Sequence, residues 1–228
     1  MRQISKTILL LGSLVAFIGC VTPVKKPTTN TINNKSGAVS LKIGFPIFFP
    51  FVPDRFASKV YLLKISKDKK NYSEMPLIES AMQNRDQVTF LNLEPGDYAI
   101  AGFYRLNETS NNSADIYAIL DDASIEKSIF RVKENEITIL GIIYCMLAND
   151  ALNLQGNQFE LSKKIAPGIE NNTAEVVFTT LVGGHTRQVR VETITKIKNS
   201  PEEIDSFKPT LKEIFEGTAW KSQFKNLN

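Results

Sequence analysis

The sequence predicts a mainly β domain that ends in a helical segment. Short runs rich in Val, Ile, Tyr and Phe recur between residues 37 and 198, which is typical of strands. Clusters of Pro, Gly, Asn and Asp separate many of these runs, which favours tight turns and antiparallel neighbours. After residue 199 the pattern changes to that of a capped helix with an apolar face. We therefore predict one β domain over 37–198 and a C-terminal helical segment over 199–228.

The first twenty residues predict an export signal. Arg2 and Lys6 give it a cationic start without any acidic residue, and residues 8–18 are apolar apart from Gly12 and Ser13. An apolar run of this length is too short for a hydrocarbon core of about 30 Å, which a helix crosses with roughly 20 residues. A cationic start, a short apolar middle and a small residue before the cleavage point are typical of a secretory signal.

Residues 17–20, FIGC, which follow the apolar run, resemble the lipobox of bacterial lipoproteins, in particular the relaxed boxes of spirochaetal lipoproteins. The resemblance implies a signal peptide over 1–19, cleavage before Cys20 and acyl chains on that cysteine. These chains would anchor the protein in the cell envelope. The outer membrane is expected, because Val21 stands where an Asp favours inner-membrane retention in some bacteria. The periplasmic or surface face stays open, and an ordinary secretory signal with a coincidental cysteine is the alternative.

Residues 20–36 are predicted to form a flexible tether between the lipid and the domain. Thr, Asn, Pro and Lys dominate this stretch, and it has almost no apolar content after Val24. Such a composition cannot bury enough apolar surface to offset the entropy lost on ordering. We therefore expect the tether to have no packed structure of its own.

The first predicted strand, 38–47, leads into an unusual run of aromatic residues and prolines. Residues 45–56, FPIFFPFVPDRF, hold five Phe and three Pro, and the prolines exclude a regular helix or a central strand. Phe48, Phe49 and Phe51 are therefore a candidate interaction patch for a membrane or a protein partner. The alternative is a loop that folds across the end of the core and buries these rings.

The middle of the domain carries four predicted strands. They cover residues 59–65, 77–78, 87–93 and 97–106. Between the last two strands, EPGD at 94–97 favours a tight turn, because Pro presets φ at the second position and Gly accepts a positive φ at the third. We therefore predict a hairpin of 87–93 with 97–106.

Residues 88–100 of this hairpin, VTFLNLEPGDYAI, resemble the f-x-x-L-x-P-G-x-Y-x-(V/I) hairpin of small prealbumin-like and collagen-adhesin B-type β-sandwiches. The matching positions are Phe90, Leu93, Pro95, Gly96, Tyr98 and Ile100. The resemblance implies a sandwich in which the tyrosine packs the core, and it says little about function. The predicted fold class is therefore mainly β, an antiparallel β-sandwich with a C-terminal helical segment.

The rest of the chain yields further hairpins and the helical segment. The predicted elements are a strand at 116–120, a turn at Asp121 and Asp122, a hairpin of 128–133 with 136–147, a mostly loop region at 149–172 and a hairpin of 174–181 with 188–197. Gly141 is expected at a bulge or a close backbone approach. After these, SPEE at 200–203 forms a capping box. Leu211, Ile214 and Phe215 lie on one helical face, and Trp220 is expected to dock this segment on the β domain.

The sequence predicts no catalytic, metal or cofactor site. His185, the single histidine, lies beside two glycines, and Cys145 lies in an apolar strand, where a buried structural thiol is expected. One His and one buried Cys cannot supply the ligands of a zinc site. The sequence contains no nucleotide-binding glycine loop and no serine nucleophile elbow. We therefore predict that the protein is not an enzyme and carries no cofactor.

The mature chain is close to neutral. Cleavage after residue 19 removes Arg2 and Lys6 from the 27 basic residues and none of the 24 acidic residues, which leaves 25 and 24. This balance argues against a nucleic-acid partner. The predicted function is a lipid-anchored binding module of the cell envelope, held by acyl chains on Cys20 and able to bind an envelope or extracellular protein. A structural envelope protein without a soluble ligand and an envelope hydrolase are the alternatives.

Overall fold

The computed structural model describes residues 35–45, 55–66, 71–84, 86–108, 112–148, 154–168, 175–180 and 183–224. The predicted signal peptide, Cys20 and nearly all of the tether lie outside these ranges. So do Phe48, Phe49 and Phe51, the predicted interaction patch.

The described residues are mainly in strands, as predicted, with short helices between and after them. The strands are β1 (Gly37–Phe45), β2 (Arg55–Phe56), β3 (Lys59–Lys64), β4 (Leu77–Glu79), β5 (Met82–Asn84), β6 (Gln87–Leu93), β7 (Gly96–Glu108), β8 (Asn112–Leu120), β9 (Phe130–Val132), β10 (Ile137–Leu147), β11 (Glu175–Thr180) and β12 (Gly183–Lys198). The helices are α1 (Asp122–Lys127), α2 (Gly156–Ile165), α3 (Pro201–Asp205), α4 (Lys208–Phe215) and α5 (Lys221–Phe224), and Tyr72–Glu74 forms a 3₁₀ turn.

The strands form one curled mixed sheet, a half-barrel, and not the antiparallel β-sandwich that we predicted. Its main path runs β4-β3-β7-β8-β12-β10-β1-β6-β5. Two pairs at its centre are parallel, β8 with β12 and β1 with β10. The prediction was wrong because turn signals identify strands that are close in sequence, whereas these parallel partners lie far apart along the chain.

The curl brings β1 and β7 towards each other across the concave face. The rings of Phe45 and Phe103 lie with centroids 5.0 Å apart, although β10, β12 and β8 separate their strands along the sheet. Two shorter strands that lie between β1 and β7 in the sequence pair with them: β2 pairs with β1, and β3 pairs with β7. The apolar side chains of the concave face therefore pack against one another and form the main core.

Two of the predicted hairpins are wrong in their pairing. The strands β6 and β7 flank the expected turn, yet β6 pairs with β1 and β5, and β7 pairs with β3, β8 and β9. Likewise β9 pairs with β7, whereas β10 pairs with β1 and β12. The hairpin of β11 with β12 is confirmed. In each wrong pairing, strands from other parts of the chain take the place of the neighbour across the turn.

Helices occur where a turn, at Asp121 and Asp122, and a mostly loop region, 149–172, were predicted. Asp121 is the N-cap of α1, and its carboxylate accepts a hydrogen bond from Ser124 N at 2.7 Å. The region 149–172 contains α2, which buries Leu161 and Ile165 on one face. The polar residues of α2 lie on the opposite, solvated face. The composition of the region therefore led to the wrong prediction of a loop.

The C-terminal helices are present and cover the convex side of the sheet. Ser200 caps α3 through a hydrogen bond from Glu203 N, as the capping box predicted. A second apolar cluster joins this segment to β1, β5 and β10; its buried members are Ala38, Met82, Ile137, Phe207, Leu211, Ile214, Phe215 and Trp220. The docking role predicted for Trp220 is therefore confirmed.

Gly141 lies at a β-bulge in β10, as expected. Its φ is +82°, and the register with β1 shifts at this point. A Cβ atom at this position would overlap the carbonyl oxygen of Lys198 on β12. Glycine is therefore needed here both for its backbone conformation and for the close approach of the neighbouring strand.

Candidate functional site

Three charged side chains meet on the concave face of the half-barrel. Arg105 lies on β7, and Arg190 and Glu192 lie on β12, with β8 between the two strands. Phe103 is opposite Ala118, and Ala118 is opposite Arg190, so these residues share one face of the sheet. We call Arg105, Arg190 and Glu192 the arginine cluster.

The carboxylate of Glu192 is the centre of the cluster. Its Oε1 atom accepts hydrogen bonds from Arg190 Nε at 2.8 Å and Arg190 Nη2 at 2.5 Å, and Arg105 Nη2 lies 3.8 Å from the same oxygen. The side chain of Glu192 is 1% exposed, that of Arg190 is 11% exposed and that of Arg105 is 15% exposed. One carboxylate oxygen thus faces two guanidinium groups in a place that water reaches poorly.

The described charges of the cluster do not balance, because two cations face one anion. Burial lowers the pKa of Arg105 to about 10, and the nearby charges of Arg190 and Arg55 act in the same direction. Within the described part of the chain, Arg105 Nε and Glu192 Oε2 are buried and have no hydrogen-bond partner. Such atoms are rare in folded proteins and are costly unless a partner satisfies them.

The guanidinium group of Arg105 lies on an aromatic ring. Its central carbon is 3.8 Å from the centroid of Phe45, a contact that combines stacking with a cation–π attraction. Phe45 ends β1, and it is paired with Arg55 of β2. The predicted patch of Phe48, Phe49 and Phe51 belongs to the connection between these two residues.

Of Cys145 and His185, the structure describes only the side chain of Cys145. Cys145 is buried, as predicted, and burial raises the pKa of its thiol well above the ordinary value. His185 is opposite Phe178 in the pairing of β11 with β12, and its side chain is outside the described part. In the ranges that the structure describes, no group of three His, Cys, Asp or Glu residues could hold a metal ion.

None of the three members of the arginine cluster was predicted from the sequence. A signal was present, because Arg190 and Glu192 are opposite charges two positions apart in a strand, where alternate residues share a face. Both flank Val191, and the strand is buried on its two faces at this level. The contribution of Arg105 comes from another strand, so only the fold reveals the excess of positive charge.

Chemically, the cluster is suited to binding and not to nucleophilic attack. Guanidinium groups are permanently charged, and their planar donors match the geometry of oxyanions.

The chain matches no protein family model, no curated protein and no solved structure. None of the described helices is both long enough and apolar enough to pass through a membrane.

Proposed function

We propose that this protein is a lipid-anchored, non-enzymatic binding module of the cell envelope, attached to the outer membrane through acyl chains on Cys20. The resemblance of residues 17–20 to a lipobox supports the anchor. The arrangement of connections at one end of the half-barrel supports the binding role. Envelope or extracellular molecules are the partners that this location offers.

The observation that carries the binding role is the clustering of connections at this end. At this end of the half-barrel lie the last residues of β1, β7 and β10 and the first residues of β2, β8 and β12. The parallel and antiparallel pairings of these strands fix this arrangement. The described strand ends on either side of residues 46–54 and 109–111 therefore lie at one end of the half-barrel, where Phe45 contacts Arg105. Connections grouped on a rigid sheet are a common place for binding residues.

The anchor is tested by fractionation of cells that express Cys20→Ser. We expect the wild-type protein in the membrane fraction and the variant in the soluble fraction, because a chain without acyl groups lacks the buried methylenes that hold it. The matched control is Cys145→Ser, which removes the other cysteine and should leave the protein in the membrane. Equal membrane retention of the two variants would refute the anchor.

The binding role is tested with a photo-crosslinking amino acid placed at Phe49 in intact cells. The matched control is the same amino acid at Ile129, which is 48% exposed and precedes β9, at the end of the sheet where β7 starts. We expect discrete adducts from position 49 and none from position 129. Without adducts at position 49, a structural envelope protein becomes the better explanation.

A further inference from the structure

We propose that the arginine cluster binds the carboxylate of a small hydroxycarboxylic acid. In this arrangement Arg105 donates to the ligand carboxylate, and Glu192 Oε2 accepts from the ligand hydroxyl. The inference deepens the proposed function, since it rests on the domain being a binding module, but it does not depend on the lipid anchor.

The charge of the cluster calls for an anion. Arg105 and Arg190 share the single carboxylate of Glu192, and Arg190 makes both of the short contacts with it. Arg105 approaches that carboxylate only at 3.8 Å, so its positive charge is poorly compensated. A buried, uncompensated charge is costly, and an anion that pairs with Arg105 relieves this cost.

The two unpartnered atoms define what the anion must carry. Arg105 Nε is a donor without an acceptor, and Glu192 Oε2 is an acceptor without a donor, among the residues described. These atoms belong to Arg105 and Glu192, whose Nη2 and Oε1 atoms are 3.8 Å apart, so one small molecule can reach both. An oxyanion with a neighbouring hydroxyl group supplies the acceptor and the donor together.

The net charge of the cluster favours a monoanion. One carboxylate balances the charges of Arg105, Arg190 and Glu192, and a neighbouring hydroxyl group on the same molecule supplies the donor. A zwitterionic amino acid supplies a donor but no net negative charge. A hydroxycarboxylate is therefore the class that satisfies both the charge and the hydrogen bonds.

Arg105 is also held in a fixed orientation. Its guanidinium group lies on Phe45, whose ring in turn contacts Phe103 at 5.0 Å between centroids. A side chain that is oriented before binding loses less conformational entropy when it binds. This stacking occupies the face of the guanidinium group, and Nε at its edge has no partner among the described residues.

The test is isothermal titration calorimetry of the full chain in detergent with sodium lactate as the probe. Acetate lacks the hydroxyl group and glycine lacks the net charge, so each should bind at least about tenfold more weakly than lactate. Sodium chloride at equal ionic strength controls for screening. Absence of saturable lactate binding up to about 10 mM would refute the proposal, since sites in the millimolar range are still measurable.

The variant Arg105→Met should abolish lactate binding. Arg105→Lys keeps the charge but loses the planar fork, and it should weaken binding at least about tenfold. The matched control is Arg131→Gln, which alters an exposed arginine on β9 and should bind lactate as the wild type does. Unchanged affinity in Arg105→Lys or Arg105→Met would place lactate elsewhere and refute the site.

The crosslinking experiment separates this inference from the proposed function. Adducts at position 49 without lactate binding would refute the ligand class alone. Absence of both results would refute the binding module itself.

Discussion

Replacing Glu192 by Gln tests whether the arginine cluster is as unbalanced as its geometry indicates. The substitution keeps the shape of the side chain but leaves two buried guanidinium groups without a carboxylate. Removing one partner of a buried ion pair costs about 3–5 kcal/mol, because the remaining charge is desolvated and unpaired. Glu192 is 1% exposed, so solvent screening should reduce this cost little. We expect the free energy of unfolding to fall by about 3–5 kcal/mol.

The opposite substitution, Arg105→Met, should be far milder. It removes the cation that approaches Glu192 only at 3.8 Å, and the close pair of Arg190 with Glu192 remains. The unbranched Met side chain can cover the same part of Phe45, and apolar replacement of a buried charge is often neutral or stabilising. We expect a change within about 1.5 kcal/mol. The asymmetry between the two variants is the distinctive result.

Both values come from urea unfolding at neutral pH, followed by circular dichroism and by the fluorescence of Trp220. The matched control is Glu79→Gln on the exposed pair with Lys59, where a loss of no more than about 1 kcal/mol is expected. If Glu192→Gln costs no more than this control, the cluster is well solvated and the reasoning is wrong. Equal losses in Glu192→Gln and Arg105→Met would refute the charge imbalance.

Three further substitutions test other parts of the fold. Gly141→Ala should lower the free energy of unfolding by about 2 kcal/mol or more, because the new Cβ would overlap the Lys198 carbonyl and φ is +82°; denaturant unfolding measures it. Trp220→Ala should cost about 3–5 kcal/mol and expose residues 199–224 to limited proteolysis. Burial raises the pKa of Tyr98 to about 12, so wild-type stability should fall as pH rises from 10 to 12, where the unfolded tyrosine loses its proton first. Tyr98→Phe should reduce that fall by about 1.4 kcal/mol, measured by urea unfolding at pH 8 and pH 11.

Each of these three predictions has a matched control or a result that would contradict it. Gly217 also has a positive φ, but nothing lies within 4 Å of the place that a Cβ atom would occupy, so Gly217→Ala should cost less than Gly141→Ala. A Trp220→Ala variant whose C-terminal segment resists protease as the wild type does would show that the helices dock without the indole. Identical pH dependence in Tyr98→Phe and wild type would exclude Tyr98 as a source of alkaline sensitivity.

The sequence was most informative where structure depends on neighbours along the chain. The N-cap at Ser200, the apolar face of α4 and the glycine at the β10 bulge are all local features, and all are confirmed. The strand β6 begins and ends at the predicted residues, because alternation and β-branched residues act within a few positions.

Pairing and the arginine cluster could not be predicted in the same way. The strand β1 is parallel to β10, and Ala38 pairs with Ile137 about a hundred positions away. A parallel pair needs a crossover and leaves no turn signal beside either strand. Arg105 meets Glu192 only because β8 lies between their strands, so neither residue is unusual in its own segment.

The strand β1 connects the two ends of the molecule that the proposed function uses. The chain enters it at Gly37, the end that faces the tether, and leaves it at Phe45, beside the arginine cluster. Nine residues span about 30 Å, so a partner held at the far end stands roughly that distance from the point where the tether attaches. A pull between such a partner and a lipid on Cys20 would act along β1. Because β1 is hydrogen-bonded to β10 on one side and to β6 and β2 on the other, that force would load many bonds in shear at once, a geometry suited to a protein under tension.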